Sequence, residues 1–413
     1  MNDIKKILVY THNSIGLGHA FRIRAVLSGI QAARPDVEFL VMSGTSIPHI
    51  FFGPGIEVVK LPSVKLDIDQ EGSPLQPRYL TSFSLHEIFD FRQKLIQESF
   101  EFFKPDALII EHNMTGQMSE MIPVVMKKWM RSGSKDDFAL IYICRGIMKW
   151  APFLNIPYQN PRHKSGSIDM GGLFDFIYVL EDRDVVDVVR DYLGGDAEVE
   201  RKTKYLGKIT NKTYEELPTR GQVLHRIGLE DKKIILVSLG RNLQVFPLSK
   251  SLLRFFAERG LSKDYQVVMV LDPYLDREAA RALRNDPISR DVRFLPFVPD
   301  MVDLMVHSEL IISRVGYNTF NEILMTGVKA ILIPEVHGGG EQELRARKFK
   351  RENMAVLTEE EVFNEGIGPS IEELLSNPPT KTRFDFNKYL IGQTIMDDLE
   401  SWKQGHNIRH GRN

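Results

Sequence analysis

Short apolar runs alternate with longer amphipathic segments along most of this chain. In the first half the runs predict β-strands at 7–11, 37–43, 107–111, 138–145 and 174–180. In the second half they predict strands at 234–239, 266–271, 293–296, 310–313 and 330–334. The amphipathic segments predict helices, among them 19–33, 84–103, 341–352 and 371–375. Strands that alternate with helices are typical of parallel sheets, so the pattern predicts an α/β protein.

The chain is too long for one core of typical size. Its 413 residues favour two domains of about 200 residues each. A polar stretch at 203–219 supports a division there, with residues 1–210 in the first domain and 211–385 in the second. We therefore predict two doubly wound, Rossmann-like domains that face a cleft. Such sheets bind ligands at the carboxyl ends of their strands, so the cleft is the predicted site.

Composition excludes several classes of protein. The chain is 43% hydrophobic and 26% charged, as expected of a folded protein, and its net charge of -2 argues against a nucleic-acid partner. A single cysteine, Cys144, rules out a disulfide framework and a cysteine metal cluster. The N-terminus has no secretory signal pattern, and no apolar run approaches the roughly 20 residues of a membrane span. We expect a cytoplasmic protein, with docking on the inner face of the membrane left open.

A glycine loop follows the first predicted strand and leads into a helix. Gly16 and Gly18 allow a phosphate or an acceptor close to the backbone, and the amides of a helix start favour an anion. The loop lacks the third glycine of the dinucleotide fingerprint, and Ser43 replaces its acidic residue, which argues against a nicotinamide enzyme. A histidine ordinarily titrates near neutral pH, so His19 is a candidate base for an acceptor hydroxyl. The alternative is a residue that only packs or caps the helix.

A carboxylate ends another strand of the first domain. Glu111 follows the apolar run 107–110, so it lies at the carboxyl end of that strand. From there it could orient His19 and stabilise its charged form, as an acid supports a base in other histidine-dependent sites. The commoner alternative is a strand-end carboxylate that faces water.

The segment 313–322 is the most informative stretch of the second half. A strand ends, a glycine turn follows, and a helix begins near Thr319, so Gly316, Asn318 and Thr319 are candidates for binding a diphosphate at a helix start. Glu322 is a candidate for accepting hydrogen bonds from ribose hydroxyls. Thr319 and Glu322 also fit a capping box, which would explain both residues without a ligand.

Other polar residues follow strands of the same half. Glu341 and Gln342 begin a helix after a glycine run, where they could bind the hydroxyls of a sugar, although a glutamate is favourable at a helix start in any case. Gly240 could admit a donor phosphate, with Arg241 or Asn242 supplying hydrogen-bond donors. Arg314 could do likewise or could be a solvated strand end, and His337 is either a donor contact or an ordinary loop residue.

Taken together, these segments resemble the GT-B glycosyltransferases of family 28. That family includes the N-acetylglucosaminyltransferase that makes peptidoglycan lipid II, and the chain looks most like a little-characterised bacterial group related to it. The resemblance covers nearly the whole chain and depends on the segments 16–19, 104–111, 295–301, 313–322 and 341–342.

The resemblance implies a function and a set of roles. It implies an inverting transfer from a nucleoside-diphosphate sugar, with uridine as the family-level base and His19 as the proton acceptor. Phe297, Val298 and Met301 would lie in the loop that holds the base, and residues 386–413 would carry a helix that returns to the first domain. The diphosphate, ribose and sugar contacts would be those assigned above.

No cofactor or metal is expected, because the family uses a helix dipole at the leaving group. Asp67 and Asp69 resemble a metal motif of another fold, but we interpret them as a solvated loop. The acceptor is open, either a lipid-linked molecule or a small one, and 50–52 and 127–129 are candidate lipid contacts or ordinary packing. Two rival functions are a nucleotide-sugar epimerase and a non-catalytic subunit that binds sugar nucleotides.

Overall fold

The fold is described here from a computed structural model. It covers residues 3–12, 16–66, 75–148, 155–160, 163–240, 244–272, 275–296, 298, 300–335, 340–364, 366–378 and 383–409, with the backbone only for 155–160 and 163–166. Within these ranges, no helix combines the length and the apolar character needed to cross a membrane.

The chain divides into two compact units. Unit 1 contains Met1–Asn211 and Asn387–Asn413, and unit 2 contains Lys212–Phe386. The sequence placed these divisions after residues 210 and 385. One part of the polar stretch 203–219 is not a linker, because its first three residues form an edge strand of unit 1.

Unit 1 is built on one large parallel sheet. Its strands in chain order are β1 (Lys6–Thr11), β2 (Glu38–Ser43), β3 (Ile56–Lys60), β4 (Val64–Leu66), β5 (Leu75–Pro77), β6 (Ala107–Glu111), β7 (Ala139–Cys144), β8 (Asn155–Asn160), β9 (His163–Asp169), β10 (Phe176–Val179) and β11 (Thr203–Tyr205). Its helices before residue 211 are α1 (Gly18–Ala33), α2 (Leu85–Phe103), α3 (Ile122–Arg131), α4 (Met170–Leu173), α5 (Val188–Tyr192) and α6 (Ala197–Lys202). Among the described residues the sheet has the order β11-β10-β7-β6-β1-β2-β3, and β4–β5 and β8–β9 form separate antiparallel pairs.

Unit 2 repeats the plan with a second parallel sheet. Its helices are α7 (Arg220–Ile227), α8 (Val245–Arg259), α9 (Arg277–Asn285), α10 (Met301–Met305), α11 (Tyr317–Thr326), α12 (Glu341–Lys348), α13 (Glu359–Phe363) and α14 (Ile367–Ser376). Its strands are β12 (Lys233–Ser238), β13 (Tyr265–Val270), β14 (Val292–Leu295), β15 (Leu310–Ser313), β16 (Lys329–Leu332) and β17 (Met354–Val356), in the sheet order β14-β13-β12-β15-β16-β17. The predicted α/β class with two doubly wound sheets is thus confirmed.

The last helix, α15 (Lys388–Arg409), packs on α1 within unit 1. Two glycines allow this contact: a Cβ at Gly29 would overlap the carbonyl of Lys388, and one at Gly392 would overlap the backbone of Gly29. Polar bonds fix the rest of the helix, including the 2.8 Å bond from the Tyr178 hydroxyl to Asp398. The segment 386–413 was predicted to return to the first domain, and α15 lies there.

The central strands are apolar because both faces of the sheet are covered. Every residue of β6 and β7 is buried, as expected for interior strands of a parallel sheet. Parallel pairing of β1 with β6 aligns their carboxyl ends, with Tyr10 opposite Ile110. Side chains that follow these two strands therefore emerge beside each other, and this is where the candidate site of unit 1 lies.

Candidate active site

His19 is the second residue of α1, close to the end of β1. The helix begins at Gly18, and among the described residues no side chain caps it. Among the described residues, a Cβ added at Gly16 would meet nothing within 4 Å, so Gly16 borders open space. Gly16 and Gly18 thus lie where a ligand could approach, and their contact with a phosphate or an acceptor stays a prediction.

Glu111 ends β6 and holds the ring of His19. The Nδ1 atom of His19 lies 2.9 Å from each carboxylate oxygen, and a guanidinium nitrogen of Arg22 lies 3.0 Å from Oε1. Because a carboxylate only accepts, the Nδ1–H donates, and the lone pair of His19 is left on Nε2. The sequence predicted this pairing from the strand end alone, and the structure brings the two residues together. The alternative of a carboxylate that faces water is wrong, since Glu111 is fully buried.

The surroundings of His19 favour a neutral ring. Burial, with the positive charges of Arg22 and Arg145, lowers the pKa of His19 well below its ordinary value. At neutral pH the ring therefore carries no proton on Nε2 and can accept one. The Glu111 carboxylate at Nδ1 can stabilise the charge that the ring gains on accepting a proton.

Two further histidines beside His19 were missed from the sequence. His12 directly follows β1 and His112 directly follows β6; their ring centroids lie 4.3 Å and 4.8 Å from that of His19. Burial is the largest cause that lowers the pKa of His12 to about 3 and that of His112 well below its usual value. The sequence does contain a signal for them, because each histidine directly follows a predicted strand. That the two strands are neighbours is evident only once the order of the strands in the sheet is known.

In unit 2 the turn after β15 leads directly into α11. Gly316 is the N-terminal capping residue, no side chain among the described residues caps the helix there, and a Cβ on Gly316 would meet nothing within 4 Å. The positive end of a ten-residue helix therefore borders open space, which suits an anion. Asn318 and Thr319 lie in the first turn of this helix, as the predicted diphosphate contact requires.

Glu322 is not part of a capping box. The helix starts at Tyr317, two residues before Thr319, so Thr319 lies inside the first turn and cannot cap it. Burial, followed by the nearby charges of Asp300 and Asp303, raises the pKa of Glu322 to about 8. A carboxyl group with such a pKa is unusual for a structural surface residue and is typical of functional positions.

Gln342 connects two loops of unit 2. Its Oε1 accepts hydrogen bonds from the backbone N–H of Val315 at 3.0 Å and of Glu335 at 3.2 Å, and its Nε2 donates to the Glu335 carboxylate at 3.0 Å. The side chain thus holds the turns that follow β15 and β16. Its predicted contact with a donor sugar stays a prediction, and the structure adds a positioning role.

Two buried arginines support the same turns. Arg345 donates to the carbonyl of Val315 at 2.9 Å and pairs with Glu341 at 2.7 Å. Arg314 donates to the carbonyls of Ile333 and Pro334 and pairs with Glu359 at 2.5 Å. The alternative of a solvated strand end for Arg314 is wrong, because the residue is buried among these partners.

Comparison with known proteins identifies the second unit. Residues 212–388 match the family described as the glycosyltransferase family 28 C-terminal domain. The predicted resemblance to family 28 is thereby confirmed for this part of the chain. We call unit 2 the family 28 domain.

Individual relatives are more distant. One is the UDP-N-acetylglucosamine–N-acetylmuramyl-(pentapeptide) pyrophosphoryl-undecaprenol N-acetylglucosamine transferase of Thermoanaerobacter sp. (strain X514), 25% identical over 179 residues, which are 42% of this chain. The chain spans about half the length of such curated relatives, 49% in this case. This relative supports the family resemblance and leaves the activity of the whole chain to be proposed.

Solved structures share the fold of the whole chain. The calicheamicin glycosyltransferase is 14% identical with a TM-score of 0.55, over 99% of both chains. The UDP-GlcNAc 2-epimerase from Methanocaldococcus jannaschii is 11% identical with a TM-score of 0.57, over 95% of this chain and 99% of that one. A transferase and an epimerase thus match equally well, so these likenesses establish the GT-B architecture and not the reaction.

The other predicted donor contacts of the family 28 domain are located only in part. Gly240 follows β12 in a left-handed conformation, with φ of 63°, and a Cβ there would meet no atom of the described residues within 4 Å. Met301 begins α10, and Val298 is partly buried just before it. The remaining predicted residues lie outside the described part of the chain: Arg241, Asn242, Phe297, His337 and the pair Asp67 and Asp69.

The raised pKa of Glu322 predicts a pH-dependent effect of Glu322→Gln on stability. Between the ordinary value of 4.5 and about 8, the folded protein binds a proton that the unfolded chain has lost, so wild-type stability falls as pH rises through this range. Glutamine cannot ionise, so the variant does not lose stability for this reason as the pH rises. Each pKa unit is worth about 1.4 kcal/mol, so the variant should gain several kcal/mol relative to wild type between pH 5 and pH 9. Calorimetric melting of both proteins at pH 5 and pH 9 would measure this gain. A difference in stability between variant and wild type that is the same at the two pH values would contradict the prediction.

Proposed function

We propose that this protein transfers a hexose from a uridine-diphosphate sugar to an acceptor hydroxyl, with inversion at the anomeric carbon and without a metal ion. The observation that carries the proposal is the pair of His19 and Glu111, a neutral imidazole fixed by a buried carboxylate at the strand ends of unit 1. The same chain contains a family 28 domain, whose open helix start at Gly316 suits a diphosphate.

His19 supplies the base in this reaction. The acceptor O–H bond breaks as its proton passes to Nε2 of His19, and the acceptor oxygen forms a bond to the anomeric carbon. Glu111, bonded to Nδ1, stabilises the imidazolium that results. Because Glu111 acts through His19, we regard it as a positioning residue.

The family 28 domain supplies the leaving-group side. The bond between the anomeric carbon and the diphosphate oxygen breaks as the acceptor attacks from the opposite face, and the nucleoside diphosphate leaves with the electron pair. The positive end of α11 stabilises the negative charge that develops there, which is the role a metal ion has in other transferases. Glu322 lies five residues after Tyr317, the first residue of α11, and is assigned to accept hydrogen bonds from the ribose hydroxyls.

The donor and acceptor classes come from the named relatives. Those enzymes are named for UDP-N-acetylglucosamine and for an undecaprenol-linked acceptor, so a UDP-sugar and a lipid-linked acceptor are the first candidates here. The candidate lipid contacts are only partly on the surface: Phe51 and Lys128 are buried, while Phe52 is 67% and Trp129 43% exposed. Lys128 pairs with Asp137 and Asp175, so it is not a free surface cation.

A two-stage assay tests the proposed function. Calorimetric titration of EDTA-treated protein with UDP-sugars, their GDP and ADP counterparts and free UDP measures donor binding. Mass spectrometry of reactions with an undecaprenyl pyrophosphate-linked sugar, and with a panel of small hydroxyl acceptors, measures a mass gain of one sugar. We expect binding of one UDP-sugar and transfer without added metal.

Other outcomes would overturn this function. Conversion of a UDP-sugar to its epimer with no acceptor present would make the protein an epimerase, which NMR of the sugar protons detects. Donor binding without transfer to any acceptor, and no effect of His19→Ala on the cellular product, would indicate a non-catalytic subunit. Transfer that stops in EDTA would contradict the metal-independent mechanism.

A further inference from the structure

Three imidazole rings meet at the strand ends of unit 1, and the transfer reaction uses only one of them. We call His12, His19 and His112 the three-histidine cluster. One ring nitrogen from each lies within 4.8 Å of the other two, and among the described residues this is the group that could hold a metal ion. The three come from the end of β1, the start of α1 and the end of β6, so the sheet and the helix fix their positions.

We propose that the three-histidine cluster binds a divalent transition-metal ion of the Zn²⁺ class, and that the bound ion inhibits the enzyme by occupying Nε2 of His19. The proposal that a metal ion binds depends only on the three-histidine cluster. The inhibition also rests on the proposed function, because it requires His19 to be the base.

The distances suit such an ion after a small adjustment. Zinc binds histidine nitrogen at about 2.0–2.1 Å, which in a tetrahedron separates two ligand nitrogens by about 3.4 Å. The ligand atoms of the cluster lie within 4.8 Å of one another, so the widest separation must close by up to about 1.4 Å, which side-chain torsions allow. Three protein ligands leave a fourth position for water.

The lack of hydrogen-bond partners at two of the rings, within the described part of the chain, also favours a metal ion. The Nδ1 atoms of His12 and His112 are buried and have no hydrogen-bond partner among the described residues. A buried polar atom without a partner is costly, and a metal ion is one partner that an imidazole accepts. His19 presents Nε2 because its Nδ1 is bonded to Glu111, and a carboxylate behind a histidine ligand is the usual support of a zinc site.

The surrounding charges limit the affinity. Arg22 and Arg145 disfavour a cation, and Glu111, whose carboxylate contacts the cluster, is shared with Arg22. This balance favours an ion that binds reversibly over one that is permanently held, which is why we assign it to inhibition.

Cobalt titration tests the site without any activity. Co²⁺ held by three imidazoles absorbs visible light strongly, so titrating EDTA-stripped protein should give a saturating band for one ion per chain, which Zn²⁺ removes. His12→Gln and His112→Asn should each raise the dissociation constant for Co²⁺ at least about tenfold, since one of three ligands is lost. Asparagine suits position 112, where φ is 70° and the left-handed conformation must be kept.

His86→Ala is the matched control, because His86 is 85% exposed and far along the chain on α2. It should bind Co²⁺ as the wild type does. Melting temperatures in metal-free buffer show whether His12→Gln or His112→Asn has failed to fold. If one of them has, cobalt binding by the other variant tests the site. The site is refuted if wild type gives no saturating band, or if His86→Ala weakens binding as much as the cluster variants do.

The inhibitory role is measured separately. Once transfer is established, Zn²⁺ should reduce wild-type turnover and EDTA should restore it. His112→Asn keeps His19, so its half-inhibiting Zn²⁺ concentration, relative to its own metal-free rate, should rise at least about tenfold. Equal inhibition of both proteins would refute the inhibitory role. Absence of transferase activity would refute the proposed function, and the cobalt result would still decide the metal site.

Discussion

Replacing His19 with alanine is expected to lower turnover by about 10²-fold or more, while the dissociation constant of the donor stays unchanged. The loss follows because the acceptor then has no base that a buried carboxylate supports. Donor binding is unaffected because we assign the donor to the family 28 domain, whereas His19 belongs to unit 1. Single-turnover rates and calorimetric binding of the donor to the same preparation would measure the two quantities.

Two further variants make this result specific. His86→Ala removes an exposed histidine and should leave both quantities unchanged. Glu111→Gln keeps the shape of the side chain and removes the charge that stabilises the imidazolium, so kcat should fall with little change in the donor's KM. If His19→Ala retains more than about half of the wild-type turnover, His19 is not the base, and the structural interpretation of a packing residue would replace it.

The pairing of His19 with Glu111 could be predicted although 92 residues separate them. Apolar runs located the two strand ends, and the rule that parallel sheets bind ligands at carboxyl ends placed both residues on one edge. The same reasoning would have added His12 and His112, had neighbouring strands been identified first. Strand order is the missing information, because it depends on tertiary pairing and not on any local pattern.

Other features could not be predicted from local patterns. The edge strands β3, β11 and β17 were missed because they are short or mix polar with apolar residues, as edges do. Helix α12 ends at Lys348, four residues earlier than its pattern suggested. The buried partners of Arg314 and Gln342 come from loops after other strands, so sequence alone left those two side chains as solvated or ligand-binding candidates.

The start of α11 shows how a local motif can mislead. Thr319 and Glu322 have the spacing of a capping box, but Gly316 is the capping residue because the chain turns there, directly after β15. The residue type alone gave no hint of this. Once Glu322 is placed inside the helix, its partial burial near Asp300 and Asp303 accounts for the raised pKa, and the ligand interpretation becomes the stronger of the two.

Replacing Glu120 with alanine is expected to lower the free energy of unfolding of unit 1 by about 3–5 kcal/mol. Glu120 and Arg92 are both fully buried, and two bonds of 2.5 Å and 2.7 Å join them. The hydroxyl of Tyr10 also donates to Glu120, at 2.5 Å, and burial with the charge of Glu120 raises the pKa of Tyr10, so it remains a donor. The variant leaves the Arg92 guanidinium buried without its counter-charge, and this is what makes the loss large.

The measurement can be confined to unit 1, because all three tryptophans, at positions 129, 150 and 402, belong to it. Urea unfolding followed by tryptophan fluorescence therefore reports this unit. Glu98→Ala, an exposed change on the same helix as Arg92, should cost less than about 0.5 kcal/mol. The double variant Arg92→Met with Glu120→Leu should lose less than Glu120→Ala alone, because no charge is then buried without a partner. If the single variant is no less stable than the Glu98 control, the buried pair contributes nothing to holding α2 against the sheet.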